Sequence, residues 1–443
     1  RLRQVLPVLE KYVEYIEGYH RGWDTEHQLY WTHGYASGMD NTPRDNGRPN
    51  GHSSSDHQGW TDLSAQMVIQ CKNIADLCHE LGESEKETYY RNMANEIGKR
   101  INQFMWNEAD GLYYDVDVDS RQTFHKTIAC FWPMLAEITS DEQNERLVAN
   151  LKDPQLFWRD MVFPTLAADQ PEYKDHGGYW LGGVWAPTNY ATIKGLSVQG
   201  YHALAKEASE RYVEGMNQVY KTTGTIWENY APEKINGNIR QGVSGGDGQH
   251  DCRSNFVGWS GLGPIALLIE EIIGIQADGV KNQVVWYLDR LDRNGIEKLH
   301  FGNGIITDLI CDEREQDSSD AFLTVTSNKP YELIVYKSGT EYKFSIAAGE
   351  NHLVCSTATD INQPGKEDET RLFPNPAQET LFLTQKGEGK CEVKITDMLG
   401  RTQQQAVIES AHAQLDISNL SRGNYLVILT TGHKSEVKSL IIE

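Results

Sequence analysis

Apolar residues recur at three- and four-residue steps up to about residue 275, and at every second residue in short runs beyond it. A largely helical part must therefore be followed by a β part. Leu2, Val5, Leu9, Val13 and Ile16 trace one face of a helix, and Leu63, Met67, Ile74, Leu77 and Leu81 trace another. Tyr90, Met93, Ile97 and Ile101 repeat the pattern, and further helices are expected over 127–138, 141–151, 188–205, 208–222 and 261–275. Ten of the eleven Trp residues fall before residue 275, so the indole-rich loops belong to the helical part.

After residue 275 the runs Val284–Leu288, Ala321–Val325, Tyr331–Tyr336 and Tyr342–Ile346 are β-rich and separated by turns such as Ser338-Gly339. They predict a small antiparallel β-sandwich over 276–355. A polar, Pro-Gly-containing stretch over 356–371 reads as a solvated linker. Short strands resume over 372–443. A chain of 443 residues is too long for one ordinary domain, and two or three are expected.

The net charge of −22 argues against nucleic acid as a partner, because phosphate binding needs fields of Lys and Arg. No run approaches the ~20 apolar residues of a membrane span, so no transmembrane segment is expected. The seven cysteines contain no CxxC pair and predict free, buried thiols rather than a zinc cluster. The chain begins at Arg1, within a helical pattern and without a signal peptide, and reads as a fragment or processed form.

Between the first two helices lies a connection of about forty residues, against the usual ~4–6. Long connections on rigid helices are favoured places for binding and catalytic groups. This one carries Ser37-Gly38-Met39-Asp40-Asn41-Thr42-Pro43-Arg44. That stretch resembles the first signature of glycoside hydrolase family 63 and its trehalase and mannosylglycerate-hydrolase relatives. The resemblance continues through Trp106–Asp115, Gly178–Tyr190, Thr225–Glu233 and Val257–Pro264, in the same order over about 275 residues. It implies an (α/α)6 toroid over 1–275, N-terminally incomplete, since about eight helices stand where the fold has twelve. Two small β-sandwich domains would follow. Leu372–Ala377, Ile395–Arg401 and Leu415–Tyr425 resemble the C-terminal sorting domain of the type IX (Por) secretion system of Bacteroidetes. That implies a secreted or outer-membrane-surface protein, with the secretion machinery as partner.

Glycoside hydrolysis needs an acid to protonate the leaving oxygen and a carboxylate opposite it; in inverting enzymes the two stand about 6.5–9.5 Å apart, with a water between. The resemblance assigns the acid to Asp40 and the base to Glu228. Asp40 must then stay protonated near neutrality, shielded by Met39, Trp31 and Tyr35. Glu233, five residues beyond Glu228, is the rival base. Arg44 is expected to bind sugar hydroxyls or fix a carboxylate. Trp31, Tyr35, Trp60, Trp180, Trp185, Trp227, Tyr230 and Trp259 offer faces and donors for sugar, and Asp62 and Asn189 match polar positions of the family. Many relatives carry Arg where this chain has Leu181. The loop 46–57, with His52, Asp56 and His57, reads as pocket lining rather than a metal site, and Gly245–Gly248 lacks the GKS/T of a phosphate cradle. No metal or cofactor is expected. The expectation is an inverting, exo-acting α-glucosidase or α-mannosidase. The alternatives are a non-catalytic glycan-binding protein on the same scaffold and a polysaccharide lyase.

Overall fold

A computed structural model describes residues 2–44, 57–245 and 250–356 and, further on, 371–373, 375–384, 390–397, 400–408, 412–431 and 434–442. The chain divides into two compact units, Arg1–Thr357 and Ala358–Glu443.

In the first unit, helices α1 (Leu2–Tyr19), α2 (Gly34–Ser37), α3 (Thr61–Leu81) and α4 (Ser84–Phe104) come before the motif Trp106–Asp115. Helix α3 turns Val68, Cys71, Ile74, Ala75 and Cys78 inward and stops at Gly82, whose left-handed φ of 72° suits glycine. Helix α4 answers with Tyr90, Ala94, Ile97 and Ile101. All of these apolar side chains join one core. Helices α5 (Trp132–Leu135), α6 (Asp141–Lys152), α7 (Ala186–Val198) and α8 (His202–Thr223) follow. Helix α7 is buried on nearly every side, which is why its sequence shows no clean amphipathic stripe. Its Gly195 lies against the Leu135 backbone, where a Cβ would stand 3.2 Å from the Leu135 nitrogen.

Two expected helices are corrected. The span 127–138 is a 3₁₀ turn, Ile128–Phe131, followed by the single turn of α5, with Pro133 near its start. The span 188–205 is two helices, because Gly200 takes φ 83° and ends the first of them. The last helix of this part, Gly263–Ile273, is π-type; it presents Leu267 to the helical core, while Ile269 and Ile273 pack on the β core.

That β core lies between two four-stranded sheets. One runs Gly349–Cys355, Ala321–Ser327, Ile305–Cys311, Asn294–Phe301; the other runs Ile275–Asp278, Gln283–Tyr287, Tyr331–Lys337, Thr340–Ile346. The expectation of a wholly antiparallel arrangement is corrected at one pair: Gln283–Tyr287 and Tyr331–Lys337 run parallel, joined by a crossover through the other sheet. Strand Asn294–Phe301 is hard to see in the sequence because its register shifts between Ile296 and Leu299, breaking the alternation. The second unit holds a three-stranded and a four-stranded sheet around Leu381, Leu383, Val393, Ile395, Val427, Leu429 and Leu440. All seven cysteines are buried and free.

Gly274 ends the π-type helix at φ 85°, and a Cβ there would stand 2.2 Å from the Tyr287 carbonyl oxygen. Gly274→Ala is therefore expected to destabilise the first unit by about 1–3 kcal/mol or more, read as a lower thermal midpoint.

Candidate active site

The loop after α2 is shaped by local bonds: the Met39 N–H donates to Ser37 Oγ (3.2 Å) and the Thr42 N–H to the Met39 carbonyl (3.1 Å). Met39 is buried, and Asp40 beside it is half-buried. Burial raises the Asp40 carboxyl above the usual aspartate range, against the pull of its own backbone N–H.

Arg44 anchors the end of this loop. Its guanidinium is fully enclosed and donates through Nη1 and Nη2 to Asp62 (2.8 Å each) and through Nε and Nη2 to Asp115 (2.6 and 2.9 Å). The plane lies 4.1 Å over the Trp60 ring. Asp115 also accepts from the Thr61 N–H (2.8 Å) and hydroxyl (3.0 Å). Burial opposes charge on Asp115, but Arg44 and the Thr61 donors outweigh it and hold the carboxyl below its ordinary range.

The loop of Asp40 is tied to the Gly178–Trp180 segment by Asn41. Its amide nitrogen donates to the Gly178 carbonyl (3.0 Å) and its amide oxygen accepts from the Trp180 N–H (2.9 Å), so it grips the chain on either side of Tyr179. Tyr179 has a left-handed φ of 64°, unusual for an aromatic residue. Its carbonyl accepts from Trp185 Nε1 (3.0 Å), and its ring stands 4.9 Å from Trp185. Trp180 stacks on Trp185 at 3.9 Å, and Trp259 meets Trp185 edge-on at 5.9 Å.

Single β-bridges lace the loops together: Val184 pairs with both Pro164 and Tyr230, and Tyr230 also pairs with Gln241. Glu228 sits two residues before that rung, largely buried, and its N–H donates to the Arg253 carbonyl (2.9 Å). Asn229 donates to Cys252 Sγ (2.9 Å), and its carbonyl accepts from the Gly242 N–H (2.9 Å). A Cβ at Gly242 would stand 1.7 Å from Asn229 Oδ1, so a larger residue there would displace the Asn229 side chain. Glu233 is engaged by Arg159 Nε (3.0 Å) and the Tyr173 hydroxyl (3.0 Å), which leaves Glu228 as the less encumbered carboxylate. The charges of Glu228 and Asp40 both act on the Tyr179 phenol. Burial first, then these two charges, push it up to about 12, with Arg253 pulling the other way.

Arg44, Trp60, Trp185 and Asn189 have no exposed surface, and of the two roles expected of Arg44 the guanidinium fills that of fixing carboxylates. The Asn189 side chain is spent on the Phe163 N–H (2.5 Å) and the Phe163 and Trp185 carbonyls (3.0 and 2.9 Å). Asp62 and Tyr230 are also buried; the Tyr230 hydroxyl accepts from the Trp227 N–H (3.3 Å). Trp31, partly buried, lies between His20 (5.0 Å) and His57 (5.4 Å). Trp227 is partly exposed, and its Nε1 donates to Thr223 Oγ1 (3.0 Å). Trp259 is 41% exposed. The Tyr35 side chain, His52, Asp56 and Gly246–Gly248 lie outside the described residues. Residues not singled out from the sequence are Asn41, Tyr179, Asp115, Asn229 and Cys252. Two of them directly follow the proposed carboxylates, and the Gly177-Gly178 pair before Tyr179 signals unusual backbone.

Residues 1–244, more than half of the chain, match the mannosylglycerate hydrolase MGH1-like glycoside hydrolase domain. The chain belongs to this glycoside hydrolase family. Residues 371–443 of this family member match the secretion system C-terminal sorting domain, the tail of type IX export to the cell surface or medium. An uncharacterized protein of Borreliella burgdorferi is 29% identical over 319 residues, covering 71% of this chain and 63% of its own length. Mannosyl-oligosaccharide glucosidase of Saccharomyces cerevisiae is 22% identical over 285 residues, covering 58% of this chain and 32% of its own. The family member thus spans less than two thirds of the length of either relative. The alpha-L-rhamnosidase structure from Dictyoglumus thermophilum aligns with a TM-score of 0.50 at 12% identity, covering 79% of this chain and 37% of that one. Among the described residues no helix is long and apolar enough to cross a membrane.

Replacing Arg44 by Met should cost about 3–5 kcal/mol in denaturant unfolding, because two buried carboxylates lose their counter-charge. Asp115 has a folded pKa below its unfolded one. Its stabilisation is therefore present above the ordinary aspartate value of ~3.9 and is lost as pH falls through the lower folded value. Wild-type stability should drop over that acid window, and Arg44→Met should lack that loss.

Proposed function

We propose that this family member is an inverting, exo-acting α-glycosidase of the α-glucosidase or α-mannosidase type, with Asp40 as general acid and Glu228 as general base. The observation that carries this reading is the hydrogen-bonded path between two loops 188 residues apart in sequence: Asn41, beside Asp40, bonds the peptides on either side of Tyr179, and Tyr179 is bonded through Val243 and Gly242 to Asn229, beside Glu228. In the proposed reaction a water attacks the anomeric carbon and passes a proton to Glu228. The glycosidic bond breaks as its oxygen takes the Asp40 proton. The raised Asp40 carboxyl supports the acid role, since a neutral acid is what the leaving oxygen needs.

Trp259 would serve as the exposed sugar platform, and Trp227, Trp31, Tyr35 and Trp180 are proposed as further sugar-binding residues. Arg44, Asp62, Asn189, Trp60, Trp185 and Tyr230 would hold the loops in place. The helical part, 1–275, is read as an incomplete (α/α)6 toroid, followed by β-sandwiches over 276–355 and 372–443 with the linker 356–371. The carbohydrate substrate and the type IX secretion machinery are the proposed partners.

Asp40→Asn and Glu228→Gln are each expected to lower kcat/KM by about 10²–10⁴ on an α-glucoside or α-mannoside substrate. Wild-type activity should fall on the alkaline side as Asp40 loses its proton, at a higher pH than an ordinary aspartate would give. Full turnover by either variant would overturn the assignment.

A further inference from the structure

Tyr179 is the residue at which the two halves of the site are fastened to each other. From one side Asn41, adjacent to Asp40, bonds the peptide groups before and after it. From the other, its own N–H donates to the Val243 carbonyl (2.6 Å). Val243 adjoins Gly242, whose N–H is bonded to the Asn229 carbonyl next to Glu228. Holding an aromatic residue at φ 64° costs free energy, on the order of 1–3 kcal/mol, and persists only where the surroundings impose it. Here they do: Trp185 takes the carbonyl, and the next turn passes so close that a Cβ on Gly183 would stand 2.2 Å from that oxygen. The ring packs edge-on against Trp185 at 4.9 Å and Trp180 at 6.0 Å, which fixes its direction. No group among the described residues engages the hydroxyl, which lies within the fields of both Asp40 and Glu228.

We propose that the Tyr179 hydroxyl is the hydrogen-bond donor that holds the attacking water between Glu228 and the anomeric carbon. This rests on the two-carboxylate reading above. The water offers four sites: one proton goes to Glu228, one lone pair attacks carbon, and the phenol donates to the other lone pair. The phenol gives up no proton in the reaction. Burial, and after it the charge of Glu228, hold its proton firmly, so it remains a donor across the working range of pH. The strained backbone then has a use, because it holds one rigid donor on the segment that joins the Asp40 and Glu228 loops.

The test is Tyr179→Phe in the full chain, which keeps the ring against Trp185 and Trp180 and removes only the hydroxyl. Turnover is measured on α-D-glucosyl and α-D-mannosyl fluoride and on matching O-glycosides, beside Asp40→Asn and Glu228→Gln. Fluoride departs with little protonation, so it relieves the need for Asp40 but not for an oriented water. The expected result is a kcat lower by roughly 10- to 100-fold on both leaving groups, with KM moved far less and thermal unfolding unchanged. Wild-type kcat in Tyr179→Phe, or a loss confined to the O-glycoside or to KM, would overturn the tyrosine's role while leaving the carboxylates in place. Full turnover by Glu228→Gln would instead remove the reading on which the role rests.

Discussion

A single buried guanidinium holds the loop of Asp40 to the body of the helical part. Arg44 joins the loop that carries Asp40 to the first turn of α3 through Asp62, and to the end of the Trp106–Asp115 motif through Asp115. Two buried carboxylates sharing one cation would be ruinous unless every lone pair were answered. Thr61 and the Leu63 N–H supply the remaining donors, and the Trp60 ring closes the face of the guanidinium. Such a cluster is geometrically specific, because a bidentate fork tolerates little rotation. Asp40, four residues earlier, inherits that rigidity.

Glu228 is steadied by different means. Its loop is one rung in a series of isolated β-bridges, and the backbone beside it passes close enough to demand glycine at 183. Backbone pairing fixes the loop and leaves the carboxylate with one long bond, from the Arg253 N–H (3.4 Å). Glu233, only five residues on, illustrates the contrast: Arg159 and Tyr173 occupy it. Tyr179 stands where the two constructions meet, bonded through its peptide neighbours to Asn41 and through Val243 and Gly242 toward Asn229.

Much of this was legible along the chain. The helical period located α1, α3 and α4, and the ordered motifs located the loops of Asp40 and Glu228. What the sequence concealed was non-local. Arg44 reads equally well as a sugar ligand until Asp62 and Asp115, 18 and 71 residues away, are seen to fill its donors. Asn189 reads as a polar group on a helix until it is found closing the Phe163 backbone. Helix α7 hid its ends because burial on all sides erases periodicity, and strand Asn294–Phe301 hid behind a register shift. Tyr179 is inconspicuous in the sequence because its neighbours in the motif are tryptophans, while its distinguishing property is a backbone angle.

The central claim is that an acid and a base on separate loops act across one water. It is tested most directly by following the first-formed sugar by proton NMR as the full chain cleaves an α-glucoside or α-mannoside. The β-anomer should appear first and then mutarotate. Initial appearance of the α-anomer would mean a covalent intermediate and two closely set carboxyls, and would contradict it.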